Sequence, residues 1–164
     1  IEEKDVEADF VVGTFSKSLG STGGFCVSPH KALTLFRYAS RPYMFTASPC
    51  PSVIATTRAA LAQLRARPKL RTKLWRNANR LYNGLSQLGL QVGPEPSPVV
   101  AVMAGSREHA LACWQHLLEA GVYLNLILPP AAPDGSALLR CSVSAAHSDE
   151  QIDQIIEAFK NLPP

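Results

Sequence analysis

Lys17 stands in an unusual setting. It lies in 13-GTFSKSLGSTGG-24, directly after the apolar run 10-FVV-12. A lysine amine stays protonated in water up to about pH 10.4 and is then a poor nucleophile. Burial or a neighbouring positive group can release it to bond covalently to a carbonyl compound. The residues around Lys17 suit a carbonyl compound that also carries a phosphate. Thr14, Ser16 and Ser18 offer hydroxyl donors, and Gly13, Gly20, Gly23 and Gly24 let the backbone approach closely. The order G-x-x-x-x-G-K-[ST] of the nucleotide phosphate loop is missing. The plain alternative is a turn after a strand, carrying a solvated lysine.

A second pattern is His109, Cys113 and His116, at i, i+4 and i+7 of one helix. Such spacing can ligate zinc. No fourth ligand accompanies it, and with Trp114 and Leu117 the segment reads as an amphipathic helix, so no metal site is expected. A third feature is charge. No Asp or Glu occurs between Asp9 and Glu95, and half of the 16 Lys and Arg residues lie between Arg58 and Arg80. No nucleic-acid motif goes with them and they sit on periodic helices, so a solvated helix surface is expected and nucleic acid is not. The anionic phosphates of a coenzyme A substrate are another match for such a surface.

These side chains need elements to position them. Residues 9–13 read as a buried strand ending at Gly13, 14–24 as a loop, and 25–27 as a short strand. A helix is expected over 29–39, with Pro29 at its start. In 41–52 the prolines argue against any regular helix. Helices follow over about 52–67 and 70–88, the second with an apolar stripe of Leu70, Leu74, Leu81, Leu85 and Leu88, and Gly89 closing it. Then come a strand over 99–104, a helix over 106–120, strands over 122–128 and 137–143, and a last helix that opens with the capping box Ser148-x-x-Gln151. From about residue 70 this order predicts an α/β sandwich, a small sheet covered by helices. Residues 1–50 hold strands and loops but no helix large enough to cover a sheet, and read as the edge of another domain.

The chain has 164 residues, 46% of them hydrophobic, and a net charge of +3. That suits one ordinary domain or two small ones. No run approaches the roughly 18 apolar residues of a membrane span, and the acidic start 1-IEEKDVEAD-9 is no signal peptide. Cys26, Cys50, Cys113 and Cys141 form no C-x-x-C pair. They are expected to be reduced, mostly buried thiols of a cytoplasmic protein.

The segment 14-TFSKSLGSTGG-24 resembles the lysine motif of the α-oxoamine synthases, fold-type I enzymes that use pyridoxal 5'-phosphate. The segments 41-RPYMFTAS-48, 129-PPAAP-133 and 138-LLRCSVSAAHSDEQI-152 resemble the same family in order and spacing. The fold implied is α/β: 1–55 as the C-terminal part of the large cofactor domain and 56–164 as the small C-terminal domain. The resemblance implies that Lys17 holds the cofactor covalently and later moves the α-proton of the amino acid. It implies that Thr14 and Ser16 help hold the cofactor phosphate, and that Thr46 and Ser48 reach the phosphate bound by a neighbouring subunit, hence a homodimer. It makes Arg140 the residue that grips the substrate carboxylate; the plain alternative is a surface arginine on an edge strand. His147 also matches a family motif, but a structural role beside the cap at Ser148 is expected of it.

Within the family the segments are most similar to the branch that joins L-serine to a long-chain acyl-CoA such as palmitoyl-CoA. Members that use glycine or alanine are the first alternative, and a non-catalytic piece acting only in dimerisation is another. A lipid product would also fit peripheral contact with a membrane surface. Members of the serine branch often carry an arginine just before the PP-x-x-P loop, where this chain has Leu128; this bears on the amino acid used. The 48-SPCP-51 sequence departs from the family's usual Ser-Leu-Pro-Pro. The family's carboxylate for the cofactor ring nitrogen and its ring-stacking histidine are expected on the N-terminal side of these residues.

Overall fold

The computed structural model describes residues 7–132 and 135–163. They fall into two compact units, one ending at Arg67 and the next starting at Pro68. This break follows the helix that contains residue 55.

In the first unit, β1 (Val11–Thr14) and β2 (Gly24–Val27) pair antiparallel, from Val11 opposite Val27 to Thr14 opposite Gly24. Helices α1 (Leu33–Ala39), α2 (Arg41–Met44) and α3 (Pro51–Ala66) follow. None of residues 7–67 is buried. The expected burial of the first strand is therefore not seen: Val12 is 76% exposed. A two-stranded ribbon cannot enclose a core by itself. Local aromatic pairs supply part of the packing, Phe10 edge-on to Phe36 at 5.8 Å and Phe15 stacked with Phe25 at 5.7 Å. The prolines of 41–52 do not exclude helix either. Pro42 lies in the first turn of α2 and Pro51 opens α3, positions where the missing N–H has no intrahelical partner to lose.

In the second unit, α4 (Lys69–Gln87), β3 (Val99–Gly105), α5 (Arg107–Glu119), β4 (Asn125–Ile127), β5 (Ala137–Ser142) and α6 (Asp149–Lys160) build a three-stranded antiparallel sheet, in the order β3-β5-β4, with helices on one face. The fourth strand is shorter than the apolar run 122–128 suggests, because only 125–127 pair with β5. Burial alternates along β3 and β5. Val100, Val102, Leu139 and Cys141 face the core with Leu81, Leu85, Leu117, Ile152 and Phe159. Arg140 and Ser142 belong to the opposite set.

Local signals explain the helix ends. The Ser106 hydroxyl accepts from His109 N at 3.2 Å. Ser148 and Gln151 form the reciprocal capping box, at 3.2 and 2.9 Å. Gly89 and Gly121 take φ of 78° and 79° just past α4 and α5. Helices α4 and α6 come close at Gly84, where a Cβ would run into Ile156. Surface ion pairs latch the same two helices: Arg76 to Asp149 at 2.6 Å, and Arg80 to Asp153 through two bonds of 2.8 and 2.7 Å. Part of the 58–80 basic run is thus spent on intramolecular pairing. Of the cysteines, Cys113 and Cys141 are buried but Cys26 and Cys50 are exposed, so "mostly buried" does not hold; all four are free thiols.

Candidate active site

Strands β1 and β2 hold the Lys17 loop at both ends. Phe15 N–H donates to Gly23 O at 2.9 Å and Ser21 N–H to Phe15 O at 2.9 Å, so the loop folds back on itself. Within it, Gly20 N–H donates to Lys17 O at 3.0 Å, a tight turn that Gly20 completes at φ 55°. The Thr14 and Ser16 hydroxyl oxygens are 2.7 Å apart, and the Ser16 N–H donates to the Thr14 hydroxyl at 3.2 Å. Thr14 also donates to Gly23 O at 3.3 Å. Glycine is required at the base of the loop: a Cβ on Gly24 would lie 2.5 Å from Gly13 O, a backbone atom. Lys17 is exposed, and among the described residues no carboxylate forms an ion pair with it.

Thr14 thus ends β1, Ser16 and Lys17 lie in the loop that follows, and the Thr14 and Ser16 hydroxyls meet there. Two hydroxyls side by side, a third at Ser18 and an amine one residue from Ser16 form a donor set that fits a phosphorylated aldehyde. Thr46 and Ser48 are not part of it. Both follow α2 in an exposed, irregular stretch, without a hydrogen bond to Thr14, Ser16 or Lys17. The next turn holds a thiol whose setting the sequence alone does not reveal. Cys50 is the N-cap residue of α3, with its Sγ 3.0 Å from the Ser52 hydroxyl. Hydrogen bonding from Ser52, and then from the Val53 backbone, holds its thiol below the ordinary range.

Arg140 lies at the middle of β5, opposite Ala101 on one side and Asn125 on the other. It is thus on the central strand of its sheet, not on an edge. It lines a groove of about 440 Å³ with Tyr123, Asn125, Ser142, His147 and Gln151. The groove exists because β4 stops pairing at Asn125, which leaves the end of β5 uncovered. Leu128 packs against the hydrophobic core instead. The PP-x-x-P segment is described only through Ala132; Pro133 lies outside the described residues, as do Glu2, Glu3 and Asp5.

His147 has the structural bond expected of it: Ser144 N–H donates to its Nδ1 at 3.1 Å. A residue missed in the sequence holds the same loop. Asn77 of α4 is fully buried, and its Nδ2 donates to Ser144 O at 3.1 Å and to His147 O at 3.0 Å. The available signal was an asparagine three residues after Leu74 and four before Leu81, on the apolar stripe. His109 Nε2 lies 3.4 Å from Cys113 Sγ, but Cys113 sits in the core, where burial pushes its thiol up. Among the described residues, no group of three His, Cys, Asp or Glu is placed to hold a metal. Likewise, no helix among them is long and apolar enough to cross a membrane.

A family model described as "Aminotransferase class I and II" matches residues 1–159. The serine palmitoyltransferase of Caulobacter vibrioides is 56% identical over 160 residues, which are 98% of this chain and 39% of that protein. That of Sphingomonas paucimobilis is 46% identical over 94% of this chain and 37% of its own length. Among solved structures, Sphingomonas wittichii serine palmitoyltransferase matches with a TM-score of 0.89 and 49% identity, covering 94% of this chain and 39% of that one. An SPT solved with PLP matches with a TM-score of 0.89 and 47% identity, covering 93% of this chain and 39% of that one. The chain thus spans about two fifths of the length of these relatives.

Proposed function

Since the chain belongs to the aminotransferase class I and II family, we propose that it is the lysine-bearing, carboxylate-binding part of a pyridoxal 5'-phosphate-dependent serine palmitoyltransferase. The reaction proposed joins L-serine to a long-chain acyl-CoA. A bond forms between the serine α-carbon and the thioester carbonyl, CoA leaves as the thiol, and the serine carboxylate leaves as carbon dioxide. The product is a 3-ketosphinganine, the entry compound of sphingolipid synthesis.

The observation that carries this reading is the closed loop that sets the Thr14 and Ser16 hydroxyls 2.7 Å apart beside Lys17. Bound pyridoxal phosphate supplies an electron sink for charge that develops at the amino-acid α-carbon. Thr14 and Ser16 would turn their hydroxyl protons from Gly23 O and from each other towards its phosphate. Lys17 would hold it covalently through Nζ, and the same amine would take the amino acid's α-proton as a positioned general base. Arg140 binds the serine carboxylate by paired, charge-assisted N–H bonds. Thr46 and Ser48, which make no hydrogen bond to Thr14, Ser16 or Lys17, would serve the phosphate held by a second subunit, which makes the proposed enzyme a homodimer. The first unit is the C-terminal part of the large cofactor domain. The small domain starts near residue 56, within α3. A cytoplasmic enzyme that meets the membrane surface only peripherally suits these substrates and product.

One observation favours a second reading. Leu128 packs on the core, so among the described residues Arg140 is the one arginine lining the groove. A sister enzyme that takes glycine or alanine would need no more. One experiment addresses both readings. The full-length protein is loaded with pyridoxal phosphate, reduced with borohydride and mapped by peptide mass spectrometry. Cofactor mass on the Lys17 peptide, lost in Lys17→Ala, is the expected result; labelling elsewhere or nowhere refutes the cofactor reading. Spectral titration of the unreduced protein with L-serine, glycine and L-alanine then separates the two, serine being expected to bind best.

A further inference from the structure

His147 lies in the loop between β5 and α6 and lines the Arg140 groove. The Ser144 N–H donates to its Nδ1 at 3.1 Å. A ring nitrogen that accepts a hydrogen bond carries no proton, so the neutral imidazole carries its proton on Nε2. The free end of this ring is therefore a donor. Gln151 is fixed in the same sense. Its Oε1 accepts from Ser148 N at 2.9 Å, which leaves the amide N–H2 as its free end. Arg140 has only donors. Among the described residues no carboxylate lines the groove, and the nearby Asp149 and Asp153 are engaged by Arg76 and Arg80. Three side chains from a strand, a loop and a helix thus line one groove, and with His147 Nδ1 and Gln151 Oε1 already accepting from backbone amides, the unengaged end of each carries N–H. That is the polarity of an anion site.

The loop is braced from the core side. Asn77, 0% exposed, ties down the carbonyls of Ser144 and His147, the two residues joined by the Nδ1 bond. The brace fixes the ring, so its free N–H is held ready at no further entropic cost.

We infer that His147, through Nε2–H, is a second donor to the substrate carboxylate bound at Arg140, and that Asn77 is a positioning residue acting through it; this rests on the proposal that Arg140 takes that carboxylate. A purely structural His147 would close the loop and nothing more. His147→Asn separates the two roles. The asparagine Oδ1 can take the place of Nδ1 and accept from Ser144 N–H, but nothing replaces Nε2–H.

The test uses the full-length holoenzyme, with ligand affinity read from the spectral change on titration with L-serine and with 2-amino-1,3-propanediol, which lacks the carboxylate. Loss of a donor to a charged acceptor should weaken L-serine in His147→Asn by about tenfold, raise KM in proportion, and leave the carboxylate-free ligand and the thermal midpoint unchanged. Equal weakening of both ligands would show a structural role and overturn the inference. L-serine affinity unchanged in His147→Asn but reduced in Arg140→Ala would overturn it while leaving the Arg140 site intact. L-serine affinity unchanged in Arg140→Ala would sink the carboxylate site and the inference together.

Discussion

Replacing Asn77 tests whether its donors, or merely its bulk, hold the β5–α6 loop. The side chain is fully buried and spends both N–H groups on main-chain carbonyls, at 3.1 and 3.0 Å. Each neutral bond contributes about 1 kcal/mol net. Asn77→Ala removes both and leaves a small void, so a loss of roughly 2–3 kcal/mol is expected. Asn77→Asp is the sharper perturbation. Its shape is the same, but a carboxylate would face two carbonyl oxygens with no donor at all. The fold therefore resists its ionisation and raises the introduced group's pKa above the unfolded value. A raised acid destabilises most above its folded pKa and recovers as pH falls, because the protonated form regains one O–H donor. Urea unfolding followed by tryptophan fluorescence measures this, since both tryptophans, Trp75 and Trp114, lie in the unit concerned. At neutral pH, Asn77→Asp should be at least as destabilised as Asn77→Ala, with the gap closing in acid. An aspartate variant as stable as the parent at neutral pH would refute the argument that the donors matter.

Gly24→Ala should damage the Lys17 loop without touching the second unit's core. The new Cβ meets Gly13 O at 2.5 Å, so the Thr14–Gly24 pairing must open, and borohydride trapping on Lys17 should fall sharply while the unfolding midpoint of the Trp-bearing unit holds. The Arg80 guanidinium keeps the Asp153 carboxyl below its ordinary range, chiefly by hydrogen bonding. A depressed acid stabilises above its unfolded pKa and ceases to as pH falls through the folded one, so Asp153→Asn should be less stable than the parent at neutral pH and match it in strong acid. Thiol labelling in the native state should modify Cys26 and Cys50 and spare Cys113 and Cys141, the last pushed up to about 12 by burial. Labelling of Cys50 should persist to lower pH than that of an ordinary cysteine, measured by peptide mass spectrometry across a pH series.

The sequence by itself determined what depends on near neighbours. The helix ends at Ser106, Gly121 and Ser148 follow from caps within three or four residues, and the Lys17 loop follows from one contiguous run of hydroxyls and glycines. Even so, local rules overreached at Pro42, which closes off a helix interior but not a first turn. Tertiary structure decided the rest. The sequence leaves an edge strand open as an alternative for Arg140 until β3 and β4 pair on either side of it, and the apolar run 122–128 reads as one long strand until only three of its residues find partners. Val12 and its neighbours read as core, yet residues 7–67 include no buried residue, because burial depends on what covers a strand rather than on the strand's own composition. Asn77 reaches carbonyls 67 and 70 residues away. Such a bond needs a helix, a sheet and a loop already packed together, and that arrangement has no local signature.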